Sequence, residues 1–233
     1  MPRSFPLLYL TAFLFPLCGI AQNAETKGWI FVSHSQKVSG SWDALVDAQL
    51  RSEDKFEFAN TLLLRAAVSY NLSAAHSTAL GYAYKGDWNH EDGTTTQTNE
   101  NRIYEQYLYN NTFGKAEFTA RARVEQRFIK DEGEHVQFAQ RARAFLALQI
   151  PIVANADFSR GLYLNFQDEV FVNIQHKERV NNDFFDQNRL LGSVGYRWSK
   201  KIDTEIGYMF WRQSKAEDYL SSNVIQLMVT TSF

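Results

Sequence analysis

Cysteine, proline and a charge excess of either sign are all scarce in this sequence of 233 residues. The single cysteine, Cys18, lies near the N-terminus, so a disulfide-stapled fold and thiol catalysis are excluded for the rest of the chain. The 24 Lys and Arg residues nearly balance the 26 Asp and Glu residues. A nucleic-acid-binding protein needs a basic face, and we therefore expect no nucleic-acid partner.

Long apolar runs are also missing after residue 21. No later stretch approaches the roughly 18–20 apolar residues that a membrane-spanning helix needs. Residues 1–21 combine a positive charge at Arg3, an apolar stretch and small residues at the end, which is the pattern of a cleaved secretory signal peptide. The alternative is a lipoprotein signal acylated on Cys18, which the bulky residue before that cysteine disfavours. We expect residues 22–233 to form one exported domain.

The exported part shows a repeated alternation of apolar and polar residues with a period of two. Within residues 117–128 the even positions are mostly apolar, and the odd positions are charged apart from one threonine. Successive side chains of a strand point to opposite faces, so this pattern predicts a strand with one apolar and one charged face. The alternation recurs at residues 42–51, 141–148, 162–173, 187–198 and 225–233.

Three features indicate a membrane β-barrel. Many predicted strands run 10–14 residues, against about 5–6 in soluble proteins and about 9–11 for a strand that crosses a bilayer. Aromatic residues, 15% of the chain, fall mostly toward strand ends, where they would lie at headgroup level. The chain ends on an apolar strand with Phe233, which we interpret as the signal that the barrel-assembly machinery recognises. The alternative architecture is a soluble lipocalin-like barrel or sandwich.

The expected fold is all-β, an antiparallel up-and-down barrel. The sequence leaves the number of its strands open between ten and twelve. Ten strands are predicted between residues 42 and 233, with long and short links in alternation. Residues 29–36 are a further strand, which would have no permitted direction if exactly ten antiparallel strands follow. The segment 151–160 is also an exception, since it is long at a position where a short periplasmic turn is expected. Either ten strands follow an N-terminal extension at 22–38, or the barrel has twelve.

The polar faces of the predicted strands define a candidate lumen. Long side chains can meet across a barrel of this size, and buried charges must be paired or hydrated. We expect a network of arginines bridged by Glu105, Glu125, Glu169 and Glu205, which either selects anionic solutes or plugs the barrel. The candidate lumen-lining residues are Arg102, Glu105, Arg121, Arg123, Glu125, Arg127, Arg141, Arg143, Glu169, Arg189, Arg197 and Glu205.

Several short motifs follow one another along the chain. They are Glu100-Asn101-Arg102, Glu105-Gln106, Arg121-x-Arg123-x-Glu125-Gln126-Arg127-Phe128, Arg141-x-Arg143, Glu169-Val170-Phe171-x-Asn173, Phe185-Asp186-Gln187-Asn188-Arg189 and Gly207-Tyr208-Met209. In order and spacing they resemble an uncharacterised bacterial family, the domain-of-unknown-function 2490 group. The end of the signal peptide resembles those of Bacteroidetes. The resemblance implies an outer-membrane barrel without an established activity.

Catalytic, cofactor and metal motifs are not recognised in the sequence. There is no GxSxG, HExxH or phosphate-binding loop, and His34 beside Ser33 and Ser35 is the one local pairing of interest. We expect no catalytic residue, no cofactor and no metal.

The leading hypothesis is a narrow anion-preferring channel or solute-binding barrel of the outer membrane, in contact with its lipids and with a small anionic solute. The alternatives are a non-conducting barrel whose loops bind a partner or glycan, and an outer-membrane lipid hydrolase.

Overall fold

The computed structural model describes residues 25–91, 93–216 and 218–233, and the predicted signal peptide lies outside these ranges. Two short 3-10 turns, Asp54–Phe56 and Lys177–Arg179, interrupt an otherwise all-β chain. In the described ranges no helix is long and apolar enough to cross a membrane. The strands are β1 (Glu25–Ser39), β2 (Trp42–Ser52), β3 (Ala59–Asn71), β4 (His76–Glu91), β5 (Thr94–Phe113), β6 (Ala116–Asp131), β7 (Gln137–Ala154), β8 (Gly161–Gln175), β9 (Phe185–Ser199), β10 (Ile202–Ser214) and β11 (Tyr219–Ser232).

The eleven strands close into a single barrel. Each strand pairs antiparallel with its neighbour in sequence, and β1 closes the barrel by pairing parallel with β11. The last residue takes part in this seam, because the amide of Phe233 donates to the carbonyl of Ser35 over 2.9 Å. The all-β barrel that the sequence predicts is therefore confirmed.

The parallel seam resolves the strand count. The barrel has eleven strands, which lies within the expected range of ten to twelve. It differs from both even-numbered alternatives, because an even number assumes that the first and last strands are antiparallel. In a meander of eleven strands the first and last run in the same direction, and they can still pair edge to edge. The segment 29–36 lies within β1, where Trp29 pairs with Gln226 and Ser35 with Ser232.

The links between strands differ in length at the two ends of the barrel. We call the end with the longer links the loop end; its links are residues 53–58, 92–93, 132–136, 176–184 and 215–218. We call the other end, which also holds Phe233, the turn end; its links are residues 40–41, 72–75, 114–115, 155–160 and 200–201. The expected long link at 151–160 is shorter than predicted, because β7 continues to Ala154 and leaves only residues 155–160 as a loop.

The two faces of the barrel wall differ as the alternation predicts. Large apolar side chains such as Leu64, Val68, Leu80 and Ile206 are exposed on the outer face. Near the turn end, aromatic rings pack on this face in pairs, for example Trp42 with Tyr70 at 4.8 Å between ring centroids. Near the loop end further pairs occur, including Phe128 with Phe138 at 5.3 Å. The outer face is thus an apolar surface bordered by aromatic rings.

Large rings also fill part of the interior, and two glycines make room for them. The ring of Tyr104 lies over Gly81, where an added Cβ would come within 2.2 Å of the ring. The ring of Tyr163 covers Gly195 in the same way, at 2.3 Å. A glycine in a strand often marks such a close approach. Both rings are buried in the interior.

Candidate functional site

Two cavities of similar size lie in the lumen that the described residues enclose. The loop-end chamber has a volume of about 430 Å³ and extends from the interior to Ser52, Lys215 and Leu220. The turn-end chamber has a volume of about 440 Å³ and extends toward Glu117 and Thr230. Both volumes are in the range of small-molecule sites, which is about 300–1,000 Å³.

Four side chains line both chambers and lie between them. We call them the dividing layer: Trp29, Arg65, Arg143 and Arg189. Trp29 is 4% exposed and Arg143 is 6% exposed. Arg65 is held by Asp47 over 2.7 Å, and the guanidinium of Arg189 lies over the ring of Trp29 at 5.0 Å. A layer of three guanidinium groups and an indole ring therefore lies between the two chambers.

A continuous chain of ion pairs, which we call the ion-pair ladder, supports this layer. Arg143 on β7 contacts Glu125 on β6 at 2.5 Å and Glu169 on β8 at 2.7 Å. The ladder continues from Glu169 to Arg121 at 2.7 Å, and from Glu125 to Arg141 at 2.6 Å. At its loop-end limit Arg141 contacts Asp186 at 2.6 Å. Buried charges of this kind need such partners, because removing one leaves the other uncompensated at a cost of about 3–5 kcal/mol.

Aromatic rings complete the support of the arginines. The ring of Phe171 is 1% exposed and lies beneath the guanidinium groups of Arg143 at 4.4 Å and Arg189 at 4.7 Å. Arg123 lies over Tyr104 at 4.2 Å and donates to the amide oxygen of Gln106. These contacts are cation–π interactions, which are stronger where water is excluded. They fix the direction of each guanidinium without neutralising its charge.

The walls of the two chambers differ in charge. Glu100 and Glu125 belong to ion pairs of the interior but do not line the loop-end chamber, because their arginine partners lie in front of them. Among the described residues, ten cationic side chains and four carboxylates line this chamber: Lys27, Arg51, Arg65, Lys85, Arg102, Arg127, Arg141, Arg143, Arg189 and Lys215, with Glu25, Glu53, Asp87 and Asp186. The turn-end chamber is nearly balanced: Arg65, Arg121, Arg123, Arg143 and Arg189, with Asp47, Glu117, Glu169 and Glu205.

Comparison with known proteins identifies the family. The family described as "Protein of unknown function (DUF2490)" matches residues 26–220. The chain belongs to this family. No curated protein and no solved structure matches the chain. The DUF2490 membership that the motifs predict is therefore confirmed, and the function has to be argued from the lumen itself.

The structure of this DUF2490 member places most of the predicted lumen residues on the inner face. Eleven of the twelve lie there: Arg102, Arg121, Arg123, Glu125, Arg127, Arg141, Arg143, Glu169, Arg189, Arg197 and Glu205. Glu105 is a correction, because its side chain is exposed on the outer face and accepts from Gln126 over 3.1 Å. Residues 102 and 105 differ in parity, so an unbroken strand cannot turn both side chains inward.

The bridging carboxylates also differ from the expectation. Glu125 and Glu169 bridge arginines, but in the described structure Glu205 is not ion-paired with an arginine. Glu205 accepts hydrogen bonds from Ser193 at 2.6 Å, Asn165 at 2.9 Å and Tyr163 at 3.1 Å. Glu100 has the role expected of Glu105, since it binds both Arg102 and Arg127.

A second cluster of charged side chains lies at the turn end, around Arg197. Its guanidinium contacts Glu117 at 2.8 Å and Asp203 at 3.0 Å, and it lies over the ring of Phe158 at 4.0 Å. Phe158 belongs to the loop 155–160, which folds inward so that this ring is buried. In the same loop, hydrogen bonds from Ser159 and then the ammonium of Lys200 lower the pKa of Asp157 to about 2.

Sequence reasoning missed several lumen residues. Arg51, Arg65 and Trp29 share the inner face of their strands, and the alternation of β2 and β3 could have placed the two arginines there. Asp186 could not have been found this way. The register between β8 and β9 shifts between Phe171 and Val172, so Asp186 and its neighbour Gln187 are both buried. An extra residue of this kind is a β-bulge, which simple alternation does not reveal.

In the described ranges, no group of three or more His, Cys, Asp and Glu residues could hold a metal ion. The ring of His34 contacts the hydroxyl of Thr231 at 2.8 Å, and the ring of His76 contacts the hydroxyl of Tyr107 at 2.5 Å. Neither histidine is hydrogen-bonded through its ring to a serine hydroxyl of the described residues.

Proposed function

We propose that this protein is a β-barrel of the bacterial outer membrane that binds a small anionic solute in its lumen and is closed to free ion flow. Export by a cleaved signal peptide at residues 1–21 is part of this proposal. The membrane assignment is supported by strands of 11 to 20 residues, which are long enough to cross a bilayer at a tilt. The exposed apolar outer face and its aromatic borders also support it, because lipid would cover both.

The dividing layer is the single observation that carries the proposal of a closed lumen. Arg65, Arg143 and Arg189 line both chambers, and the first two are held by carboxylates on neighbouring strands. Arg189 is held by Gln187 on its own strand. A hydrated ion would have to displace these side chains in order to pass. The loop-end chamber attracts anions, because cationic side chains dominate its wall and the matching carboxylates lie behind them.

Two partners follow from the same proposal. Outer-membrane lipids cover the apolar face, and the barrel-assembly machinery recognises the C-terminal strand that ends in Phe233. The ring of Phe233 is exposed at the turn end, with the ammonium of Lys201 at 4.8 Å from its centroid. An exposed ring on the last strand is accessible to an assembly factor.

Single-channel recording of the refolded protein in a planar bilayer tests this function. We expect no steady conductance from the wild-type barrel. The variant Arg189→Ala removes one side chain of the dividing layer and leaves no carboxylate unpaired, since Arg189 bonds to the amide of Gln187. We expect this variant to fold and to show small conductance steps. Arg212→Ala is the matched control, because Arg212 is an exposed arginine that lies over Tyr219 on the outer face.

Steady, anion-selective conductance steps from the wild-type barrel would contradict the closed lumen and favour an open anion channel. A silent barrel whose Arg189→Ala variant is also silent would contradict the role of the dividing layer, and would favour a scaffold whose loops bind a partner. Folding is verified in each case by heat-modifiable mobility on a gel. Hydrolysis of phospholipid by the purified barrel would instead favour the lipid hydrolase.

A further inference from the structure

Two arginines in the wall of the loop-end chamber are held by glutamine instead of a carboxylate. Arg51 on β2 donates to the amide oxygen of Gln49 over 2.7 Å, and Arg189 on β9 donates to that of Gln187 over 3.1 Å. In each case the glutamine lies two positions earlier on the same strand, so both side chains are on the inner face. Within the described ranges, neither guanidinium forms an ion pair. We call these the two Gln-x-Arg pairs.

Strand β5, elsewhere in the barrel wall, shows the neutralised version of the same arrangement. There Glu100 lies two positions before Arg102, and its carboxylate binds that guanidinium at 2.7 Å. The same carboxylate also binds Arg127. Glutamine offers the same oxygen at the same position without the negative charge. The Gln-x-Arg pairs therefore orient two guanidinium groups and leave both positive charges uncompensated.

One indole ring brings these two cations together. The guanidinium of Arg51 lies over the ring of Trp29 at 3.9 Å, and that of Arg189 lies over the same ring at 5.0 Å. Arg51 is 6% exposed, and its Nε, like the Nε of Arg189 and the indole Nε1 of Trp29, has no hydrogen-bond acceptor among the described residues. All three side chains line the loop-end chamber. The Nε and Nε1 atoms are shielded from solvent, but the two guanidinium groups line the chamber without a paired carboxylate, and this arrangement suits an anionic ligand.

We propose that Arg51, Arg189 and Trp29 form a binding site for a phosphate-type oxyanion that is carried by a small solute in the loop-end chamber. This inference deepens the proposed solute-binding function and rests on it. A guanidinium presents parallel N–H donors that match two oxygens of a phosphate, whereas a monatomic anion such as chloride offers both donors a single acceptor atom. The volume of about 430 Å³ leaves room for an organic group beside the phosphate.

Isothermal titration of the refolded, full-length mature barrel with inorganic phosphate tests the site, with chloride at equal ionic strength as the reference. We expect saturable binding of phosphate and no comparable binding of chloride. Arg51→Gln and Arg189→Gln should each weaken phosphate binding about tenfold or more, because each removes a charge-assisted hydrogen bond of about 1.5–3 kcal/mol. Arg212→Gln on the outer face should bind phosphate like the wild type.

The variant that best separates a binding role from a structural role leaves both arginines unchanged. In Gln49→Glu a carboxylate replaces the amide beside Arg51, which reproduces the Glu100–Arg102 arrangement and neutralises the cation. We expect phosphate binding to weaken about tenfold, with heat-modifiable mobility unchanged. A merely structural role for Arg51 would leave the affinity of this variant unaltered, because the new ion pair holds the guanidinium at least as firmly.

Absence of saturable phosphate binding by the folded wild type overturns the inference, and so does equal affinity in wild type and Gln49→Glu. The proposed function is tested separately by conductance. Steady conductance together with phosphate binding that depends on Gln49 and Arg51 would support the phosphate site and contradict the closed lumen. A barrel that shows no conductance and does not bind phosphate would support the closed lumen and contradict the phosphate site.

Discussion

The two chambers of the lumen are nearly equal in volume, but their walls carry different charge. In the loop-end chamber Glu100 and Glu125 stand behind their arginine partners, whereas Glu117 and Glu205 reach the surface of the turn-end chamber. The overall number of charges in a barrel therefore says little about its selectivity. The charge that a solute meets depends on which member of each ion pair lies in front.

The chambers also differ in how their charged groups are buried. In the ion-pair ladder beside the dividing layer, the side chains of Arg141 and Arg143 are 4% exposed and that of Glu125 is 1% exposed. The cluster at the turn end is more open, since the side chain of Glu117 is 40% exposed. Solvent screens exposed pairs and weakens them. Substitutions in the two clusters should therefore have different effects on stability.

The largest expected effect is that of Arg143→Ala. This change leaves Glu125 and Glu169 short of a partner inside the barrel, and should lower the free energy of unfolding by about 3–5 kcal/mol. Urea-induced unfolding in lipid vesicles measures the change, with Arg212→Ala on the outer face as the control. A loss equal to that of the control would mean that water replaces the missing partner.

A smaller effect is expected for Arg197→Ala at the turn end. Arg197 contacts Glu117 and Asp203, but Glu117 is partly solvated, so the free energy of unfolding should fall by only about 1 kcal/mol. The same urea titration applies. A loss as large as that of Arg143→Ala would contradict the distinction between a shielded and a solvated cluster.

Glu105→Leu tests the outer face. The carboxylate of Glu105 is exposed beside apolar neighbours such as Ile103 and Leu80, and lipid would surround it. Charge on the lipid face of a barrel is destabilising, so this substitution should raise the free energy of unfolding in vesicles by about 1 kcal/mol. Its neighbour Gln126 loses a hydrogen bond, which limits the gain. Destabilisation would indicate that Glu105 faces a protein partner or water instead of lipid.

The smallest expected effect is the pH dependence that Asp157 contributes. Its pKa is lowered to about 2 by Ser159 and Lys200, below the ordinary value of 3.8. A lowered pKa means that Asp157 contributes stability above its ordinary pKa and that this contribution is lost as the pH falls toward 2. The stability difference between wild type and Asp157→Asn should thus be constant above about pH 5 and shrink below pH 4. A pH-independent difference would contradict the assignment.

Alternation of side chains was sufficient to predict the barrel and most of its inner face. Arg121, Arg123 and Arg127 follow each other at even spacing on one strand, so their common face could be read directly. The same rule would have excluded Glu105, since it differs in parity from Arg102. The alternation of apolar and polar residues predicts the inner face reliably, because a barrel strand separates two very different environments, one apolar and one polar.

Other features depend on contacts between distant segments. The bulge at Asp186 arises from the register between β8 and β9, and the parallel seam arises from pairing between the two ends of the chain. Neither produces a local pattern. The different charge balance of the two chambers is also of this kind, because it depends on which carboxylates lie behind arginines from neighbouring strands.

Sided labelling of single cysteines is the most direct test of a lumen divided into two chambers. Residues 22–233 contain no cysteine, so Gln213→Cys in the loop-end chamber and Thr230→Cys in the turn-end chamber each introduce one thiol. An anionic thiol reagent added only at the loop end of oriented vesicles should modify Gln213→Cys and spare Thr230→Cys. Equal modification of both variants from that side would contradict the dividing layer and the closed lumen.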